Sequence, residues 1–341
     1  MRVAMYYNNR DVRLEEMPVP KISEDELLVK VMACGICGSD VMEWYRIKKA
    51  PLVLGHEITG VIEKVGDNVK NYKKGDRVFV SHHVPCNTCK YCLEGNHTVC
   101  DTLRATNFYP GGFAEYIRVP KINVQYGVYK LPREISFEEG TFIEPLGCVV
   151  RGQRIDRVQK DKSVLVLGSG IAGLLHIKLA KVKGAKKIIA TDINDYRLKA
   201  ALRAGADEII NAKEVNPQRV REANNGELAD RVIVCTSAIS AIEQALKCAD
   251  RGSFILLFAP VEPGITIQLP LWDIWHDQIA LTHSYAAAQQ DIAEAIQLIS
   301  TRKIKVKDTI THKLSLGQTA KGFELVSKAQ ESIKVIIEPW R

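Results

Sequence analysis

Two groupings of cysteine carry the first chemical signal. Cys34 and Cys37 form a Cys-x-x-Cys inside CGICGSD, residues 34–40. Such a pair reads as a redox dithiol, as half of a zinc finger, or as one ligand of a metal site completed elsewhere in the chain. Further along, Cys86, Cys89, Cys92 and Cys100 stand as C-x2-C-x2-C-x7-C. Four thiolates this close suit a closed tetrahedral zinc site, with no open position and therefore a structural role. A ferredoxin-type loop opens in the same way but continues C-x3-C with a following Pro. Here the last gap is seven residues and Asp101 follows.

Cys37 has partners of other types. His56 and Glu57 follow in GHE, and Glu144 stands much later in FIEPLGC. A thiolate, an imidazole and a carboxylate on separate β elements can meet at one zinc, leaving the fourth position for water or substrate. On that reading Cys37 is the ligand and Cys34 a buried neighbour. The dithiol pair stays as the alternative, although no thioredoxin-like pattern surrounds it.

A third site is built from glycines. VLVLGSGIAG places Gly168, Gly170 and Gly173 as G-x-G-x-x-G, with Ile171 and Ala172 between the last two. The run follows an expected strand and opens an expected helix, and Asp192 closes the next strand. That is the context a dinucleotide fingerprint requires. Gly168 permits the tight turn, Gly170 lets a pyrophosphate reach the helix N-terminus, and Gly173 allows close packing. Asp192 is suited to the adenosine ribose hydroxyls and repels a 2′-phosphate, which favours NAD over NADP. Arg197, five residues on, weakens that preference.

These residues need two kinds of support. Residues 1–150 read as mainly β: ELLVKVMA, ITGVIEKVG and DRVFV are Val- and Ile-rich, with turn signals at 66–68 and 73–76. From about residue 163, strands alternate with helical stretches, which predicts a doubly wound parallel sheet. The expected division is 1–150, with the cysteine lobe at 86–100; 151–286, the cofactor domain; and 287–341, a tail completing the first domain. The fold class is α/β.

Composition excludes several roles. The 341 residues are 46% hydrophobic and 26% charged, with 47 basic and 40 acidic side chains and a net charge of +7. The excess is mild and spread along the chain, unlike a nucleic-acid-binding stripe. No apolar run is long enough to span a bilayer, and the N-terminus lacks the apolar core of a signal peptide. A cytoplasmic location is expected, where nine cysteines argue for metal or catalytic use rather than disulfides.

With GICGSD, LGHEITGVIEKVG, the four-cysteine lobe, GGFAEYIRVP, EPLGC, GSGIAG and the terminal ITHKLSL and GFELV on the page, the chain resembles the zinc-dependent medium-chain alcohol dehydrogenases over its whole length. The nearest branch is the polyol (sorbitol-type), butanediol and threonine dehydrogenases. The resemblance implies a GroES-like catalytic domain plus a Rossmann domain, two zinc ions per chain, NAD, and a homotetramer or homodimer. It implies Cys37 and His56 as constant zinc ligands. Glu57 binds zinc directly or through water, and Glu144 approaches the zinc and its water. Ser39 hydrogen-bonds the substrate hydroxyl and starts the proton relay, and Asp40 orients the zinc histidine. The substrate then gives hydride to the nicotinamide and becomes a ketone.

Two departures bear on substrate. Many relatives carry a histidine where this chain has Met42, so the proton needs another exit. THSY puts Ser284 where sorbitol dehydrogenases have an arginine, with His283 beside it. Candidates for a substrate wall are Tyr45, Phe108, Glu144 and His283, with Arg46, Arg104, Asn107 and Tyr109 as further polar groups. Lys48, Lys49 and Arg46 form either an anion-welcoming group or a solvated face. Threonine-type amino-alcohol oxidation is the alternative activity, and a silent NAD-binding sensor is a more distant one.

Overall fold

The computed structural model describes residues 1–341. The chain divides into two units. One comprises 1–147 and 286–341, the other 148–285. The sequence placed these boundaries at 150 and 286.

The first unit is built around the strand Leu27–Gly35. Its sequence LLVKVMACG is almost wholly apolar and it is buried along most of its length, as a strand covered on both faces must be. It pairs antiparallel with Glu57–Val65, and that strand pairs with Arg77–Val80. On the other side, Leu27–Lys30 pairs with Tyr116–Val119, and Cys34–Gly35 pairs with the last strand, Lys334–Glu338. The C-terminal segment thus inserts a strand beside the stretch that leads to Cys37. A smaller sheet sets Arg2–Asn8 between Asp11–Glu16 and Leu52–Val53. The shared core includes Val29, Val31, Ile58, Ile62, Phe113, Ile117, Phe323 and Ile337.

The second unit holds one six-stranded sheet. Its order is Glu208–Asn211, Lys187–Asp192, Ser163–Leu167, Ala229–Val234, Ala249–Leu257, Ala280–His283. Every pairing is parallel. In chain order this is 3-2-1-4-5-6, the arrangement of dinucleotide-binding sheets. The first of these strands, SVLVL, is buried at every residue, and the helix Ile171–Val182 packs after it with Leu174, Leu175, Ile177 and Leu179 inside.

One expectation is corrected. Cys37, His56 and Glu144 do not sit on separate β elements. Cys37 precedes a 3-10 turn, Gly38–Val41, and Glu144 stands in the first turn of the helix Ile143–Ile155. An acid followed by Pro145 suits a helix N-terminus, where the carboxylate meets the positive end of the dipole and proline removes no needed donor. No helix is long and apolar enough to cross a membrane.

Candidate active site

Cys37 is fixed by its own loop. Its backbone is extended two residues past the strand Leu27–Gly35, and its Sγ accepts from the backbone N–H of Ser39 at 3.4 Å. The side chain of Asp40 reaches back to accept from the Cys37 N–H at 3.0 Å. This reciprocal cap satisfies two donors that a helical turn leaves open. His56 enters from the loop before the strand Glu57–Val65. Ligand atoms of Cys37, His56 and Glu57 all lie within 4.8 Å of one another. The buried Asp40 places Oδ1 3.4 Å from His56 Nδ1, which leaves Nε2 as the nitrogen for a metal and fixes the ring from behind.

Electrostatics favour a cation here. Burial disfavours a charged His56, but the negative charges of Asp40 and Cys37 more than offset it and hold its pKa well above the usual range. A soft thiolate, an imidazole and a carboxylate within a few ångströms are the donor set of an open zinc site. The residues present therefore fit zinc.

Glu57 has a partner that sequence reasoning missed. Lys334, on the last strand, is fully buried and donates through Nζ to Glu57 Oε2, with the Ile36 carbonyl as a second acceptor at 3.4 Å. Burial opposes the ammonium charge, and Glu57, Cys37 and Glu144 more than compensate, so its pKa is raised. Room for this pair depends on Gly35. A Cβ there would lie 2.1 Å from Glu57 Oε2 and 2.7 Å from Lys334 Cε. Glu144 is buried and stands outside the group of three ligand residues, near enough for its charge to act on Lys334.

Ser39 Oγ lies 3.4 Å from Cys37 Sγ and accepts from Arg46 Nη2 at 3.0 Å. Next to His56, the rings of His82 and His83 follow with centroids 4.8 Å and then 3.8 Å apart. Burial pushes both imidazoles down, His83 to about 4, so they are neutral near pH 7.

The four-cysteine lobe forms as a unit. Sγ–Sγ separations are 3.6 Å for Cys89–Cys92, 3.6 Å for Cys86–Cys100 and 4.0 Å for Cys86–Cys92. A tetrahedron with Zn–S of about 2.3 Å has edges of about 3.8 Å, so the four thiols are spaced for zinc. Cys86 Sγ accepts from the N–H groups of Thr88 and Cys89, and its pKa is pushed down to about 5 by the Thr88 and Cys89 donors.

In the second unit, Gly168 has φ +95° and a Cβ on Gly173 would sit 2.0 Å from the Gly168 carbonyl oxygen. Both positions require glycine. Ile171 and Ala172 open the helix whose N-cap is Gly170. Asp192 ends its strand mostly buried. Its two oxygens accept from the N–H groups of Ser169 at 2.8 Å and Asn194 at 3.0 Å, which fixes the carboxylate at the glycine turn. Arg197 stands beside Gly170, and its buried Nε has no partner.

Other expectations divide. Cys34 is fully buried and unbonded to Cys37, with burial raising its thiol pKa, so no dithiol bridge is present. Tyr45 is 42% exposed, with the Arg46 guanidinium 4.6 Å from its ring centroid. Phe108 is corrected: it is 2% exposed and packs in the core of the first unit, because an aromatic ring buries more favourably there than in a wet wall. His283 is the exposed last residue of an edge strand in the second unit. The signal for Lys334 was present but unread: a single lysine opening the apolar run KVIIE needs a buried partner.

Comparison with known proteins agrees with this geometry. Residues 23–133 match the alcohol dehydrogenase GroES-like domain, and residues 172–301 match the zinc-binding dehydrogenase domain. Sorbitol dehydrogenase of Bacillus subtilis is 31% identical, over 100% of this chain and 98% of that protein. L-Threonine 3-dehydrogenase of Bacillus licheniformis is 33% identical, over 95% and 94%. Among solved structures, galactitol-1-phosphate dehydrogenase from Escherichia coli superposes with TM-score 0.88 at 27% identity, covering 99% of this chain and 100% of that one. A zinc-binding dehydrogenase from Sinorhizobium meliloti 1021 bound to NADP gives 0.88 at 25% identity, covering 99% of each chain. A short chain alcohol dehydrogenase from Escherichia coli CFT073 complexed with NADH gives 0.89 at 28%, covering 99% of each chain. The chain belongs to the zinc-dependent medium-chain dehydrogenases, in the branch of the polyol, butanediol and threonine enzymes. It is an alcohol oxidoreductase that uses zinc and a nicotinamide cofactor.

Proposed function

We propose that this enzyme oxidises a secondary alcohol of the polyol, cyclitol or vicinal diol class to a ketone with NAD, and reduces the ketone in reverse. The observation that carries the reading is the open donor set of Cys37, His56 and Glu57 with the Ser39 hydroxyl beside it. Cys37, His56 and Glu57, with Glu144 nearby, would hold zinc, which would supply a Lewis acid for a substrate hydroxyl. Asp40 fixes the ring of His56, and Lys334 balances the charge of Glu57. Ser39 Oγ hydrogen-bonds the reacting hydroxyl. A nicotinamide cofactor held at the glycine turn would supply the hydride acceptor, and the hydroxyl proton would leave to solvent.

Asp192, with both oxygens held by backbone N–H groups, supports NAD over NADP, since its charge opposes a 2′-phosphate. A second zinc in the cysteine lobe is structural. A second copy of the chain is the expected partner, as homodimer or homotetramer. Threonine-type oxidation is the second reading, favoured by relatives named L-threonine 3-dehydrogenase at 33% and 34% identity.

The test is NADH formation by the zinc-loaded protein with sugar alcohols, cyclitols, their phosphates, 2,3-butanediol and threonine, each with NAD and with NADP. NAD-dependent turnover of one diol class supports the proposal. Turnover of threonine alone selects the second reading, and silence in both directions overturns both.

A further inference from the structure

Arg46 ends the short helical turn Glu43–Arg46 and turns back onto the loop of the zinc-ligand cysteine. Its Nε donates to the Ser39 carbonyl at 2.9 Å and its Nη2 to Ser39 Oγ at 3.0 Å. Nη2 also lies 3.5 Å from Asp40 Oδ1. That carboxylate is shared with His56 and with the Cys37 N–H, so it compensates the guanidinium only in part. These contacts use Nε and Nη2 and leave the Nη1 arm of the fork, and the side chain is 17% exposed.

This arrangement is more than a tether. A guanidinium donates and never accepts, and it keeps its charge at every working pH. Ser39 therefore cannot hand a proton to Arg46. Its occupied lone pair directs its remaining capacity toward Cys37 Sγ or a substrate hydroxyl. The same side of the site carries two neutral imidazoles, His82 and His83. The Arg46 charge acts on both, and the Lys49 charge acts on His83. On the opposite side, Lys334 already balances Glu57. For a substrate with only hydroxyls, Arg46 serves as the anchor of Ser39 and its charge meets nothing on the substrate. An alcohol with a nearby anionic group does.

We propose that Arg46 is a specificity residue that positions Ser39 and recognises a phosphate or carboxylate carried next to the oxidised carbinol. The proposal rests on the reading of this site as one of alcohol oxidation. Through two arms of its fork Arg46 holds the serine. Through Nη1 it meets the anion.

The test uses three alcohols that share a methyl carbinol and a methylene, and differ in the terminal group: propane-1,2-diol, propane-1,2-diol 1-phosphate and 3-hydroxybutanoate. The zinc-loaded wild type, Arg46→Lys and Arg46→Met are compared by kcat and KM with NAD. Calorimetric titration of the same alcohols gives binding without turnover, and circular dichroism and zinc content confirm folding. The wild type is expected to favour one or both anionic alcohols. In Arg46→Met, kcat falls by a common factor for all three, because Ser39 loses its anchor. KM and Kd rise by about 10- to 100-fold for the anionic alcohols only, the size of a lost charge-assisted hydrogen bond. Arg46→Lys recovers binding of the anion better than it recovers kcat, since a point charge lacks the fork. Dependence limited to the phosphate or to the carboxylate identifies which anion is read. A wild type that prefers the diol, or an Arg46→Met whose KM and Kd shift equally for all three, overturns the inference and leaves alcohol oxidation standing. Arg46-dependent anion binding without turnover of any alcohol does the reverse.

Discussion

At the scale of residues, the ion pair of Lys334 and Glu57 bears directly on stability. Both side chains are buried, at 0% and 1% exposure. Removing one partner of such a pair leaves an uncompensated charge in a low-dielectric site and typically costs about 3–5 kcal/mol. Lys334→Met is therefore expected to lower the thermal midpoint strongly in the metal-free protein, and Lys334→Met with Glu57→Gln to recover much of that loss. Denaturant melts of the two single variants and the double variant measure the coupling. Additive losses would mean that the two side chains act independently. The same pair shows what sequence reading reached and where it stopped. Cys37, His56, Glu57 and Asp40 were legible because short spacings bind them to one loop or one strand end. Lys334 lies 277 positions from Glu57, and only the antiparallel pairing of Ile336 with Gly35 brings it there. Phe108 was misplaced because an aromatic residue in a polar loop reads alike whether it faces inward or out.

At the scale of elements, the cysteine lobe and the first cofactor helix make separate predictions. Only Cys92, Cys100 and Leu103 form the buried core of the lobe, with Cys86, Cys89 and Ala286 packed against them. So small a core gives little burial to hold the loop, and the proposed structural zinc would supply the rest. The wild type is expected to carry two zinc ions per chain by elemental analysis and Cys92→Ser one, with a lower thermal midpoint. Two ions in Cys92→Ser would overturn the lobe as a zinc site. In the helix Ile171–Val182, His176 is fully buried against Phe258 and Gln153, and burial pushes its pKa down to about 3. The unfolded chain, with an ordinary histidine near 6.5, binds the proton more readily. Stability from this residue is complete above pH 6.5 and is lost as the pH falls toward 3. The loss is about 2 kcal/mol by pH 5. His176→Gln is expected to shrink the drop in thermal midpoint between pH 7.5 and pH 5, and an unchanged drop would show that other groups govern acid sensitivity. The alternation of strands and helices here was legible from hydrophobic runs alone. The Glu144 helix was not, because FIEPLGC is too short a window to separate a helix start from a strand once proline interrupts it.

For the whole molecule, the remaining question is what covers the outer strand Ala280–His283 of the cofactor sheet. It pairs with Ala249–Leu257 on one side and ends the sheet on the other. Open edges invite pairing with another strand. Just before it, the helix Leu271–His276 leaves Leu271, Trp272 and Trp275 each close to 70% exposed, and Ile265 in the loop ahead of that helix is half exposed. The two indoles lie 5.3 Å apart by ring centroid and form one aromatic patch. Each tryptophan offers on the order of 150–250 Å² of surface. Two copies meeting through this patch would bury on the order of 800 Å² from indoles alone, and Leu271, Ile265 and a strand pairing would take the interface past the roughly 1,000 Å² expected of a specific contact. An apolar patch beside an open edge suits a two-fold symmetric partner of the same chain. If the proposed homo-oligomer forms through this patch, Trp272→Glu with Trp275→Glu is expected to run as a monomer in light scattering coupled to gel filtration where the wild type shows a larger mass. The variant should keep its metal content, since both tryptophans lie in the unit that holds neither cysteine site. An unchanged mass would place the subunit contact elsewhere and leave the tryptophan pair to a different partner.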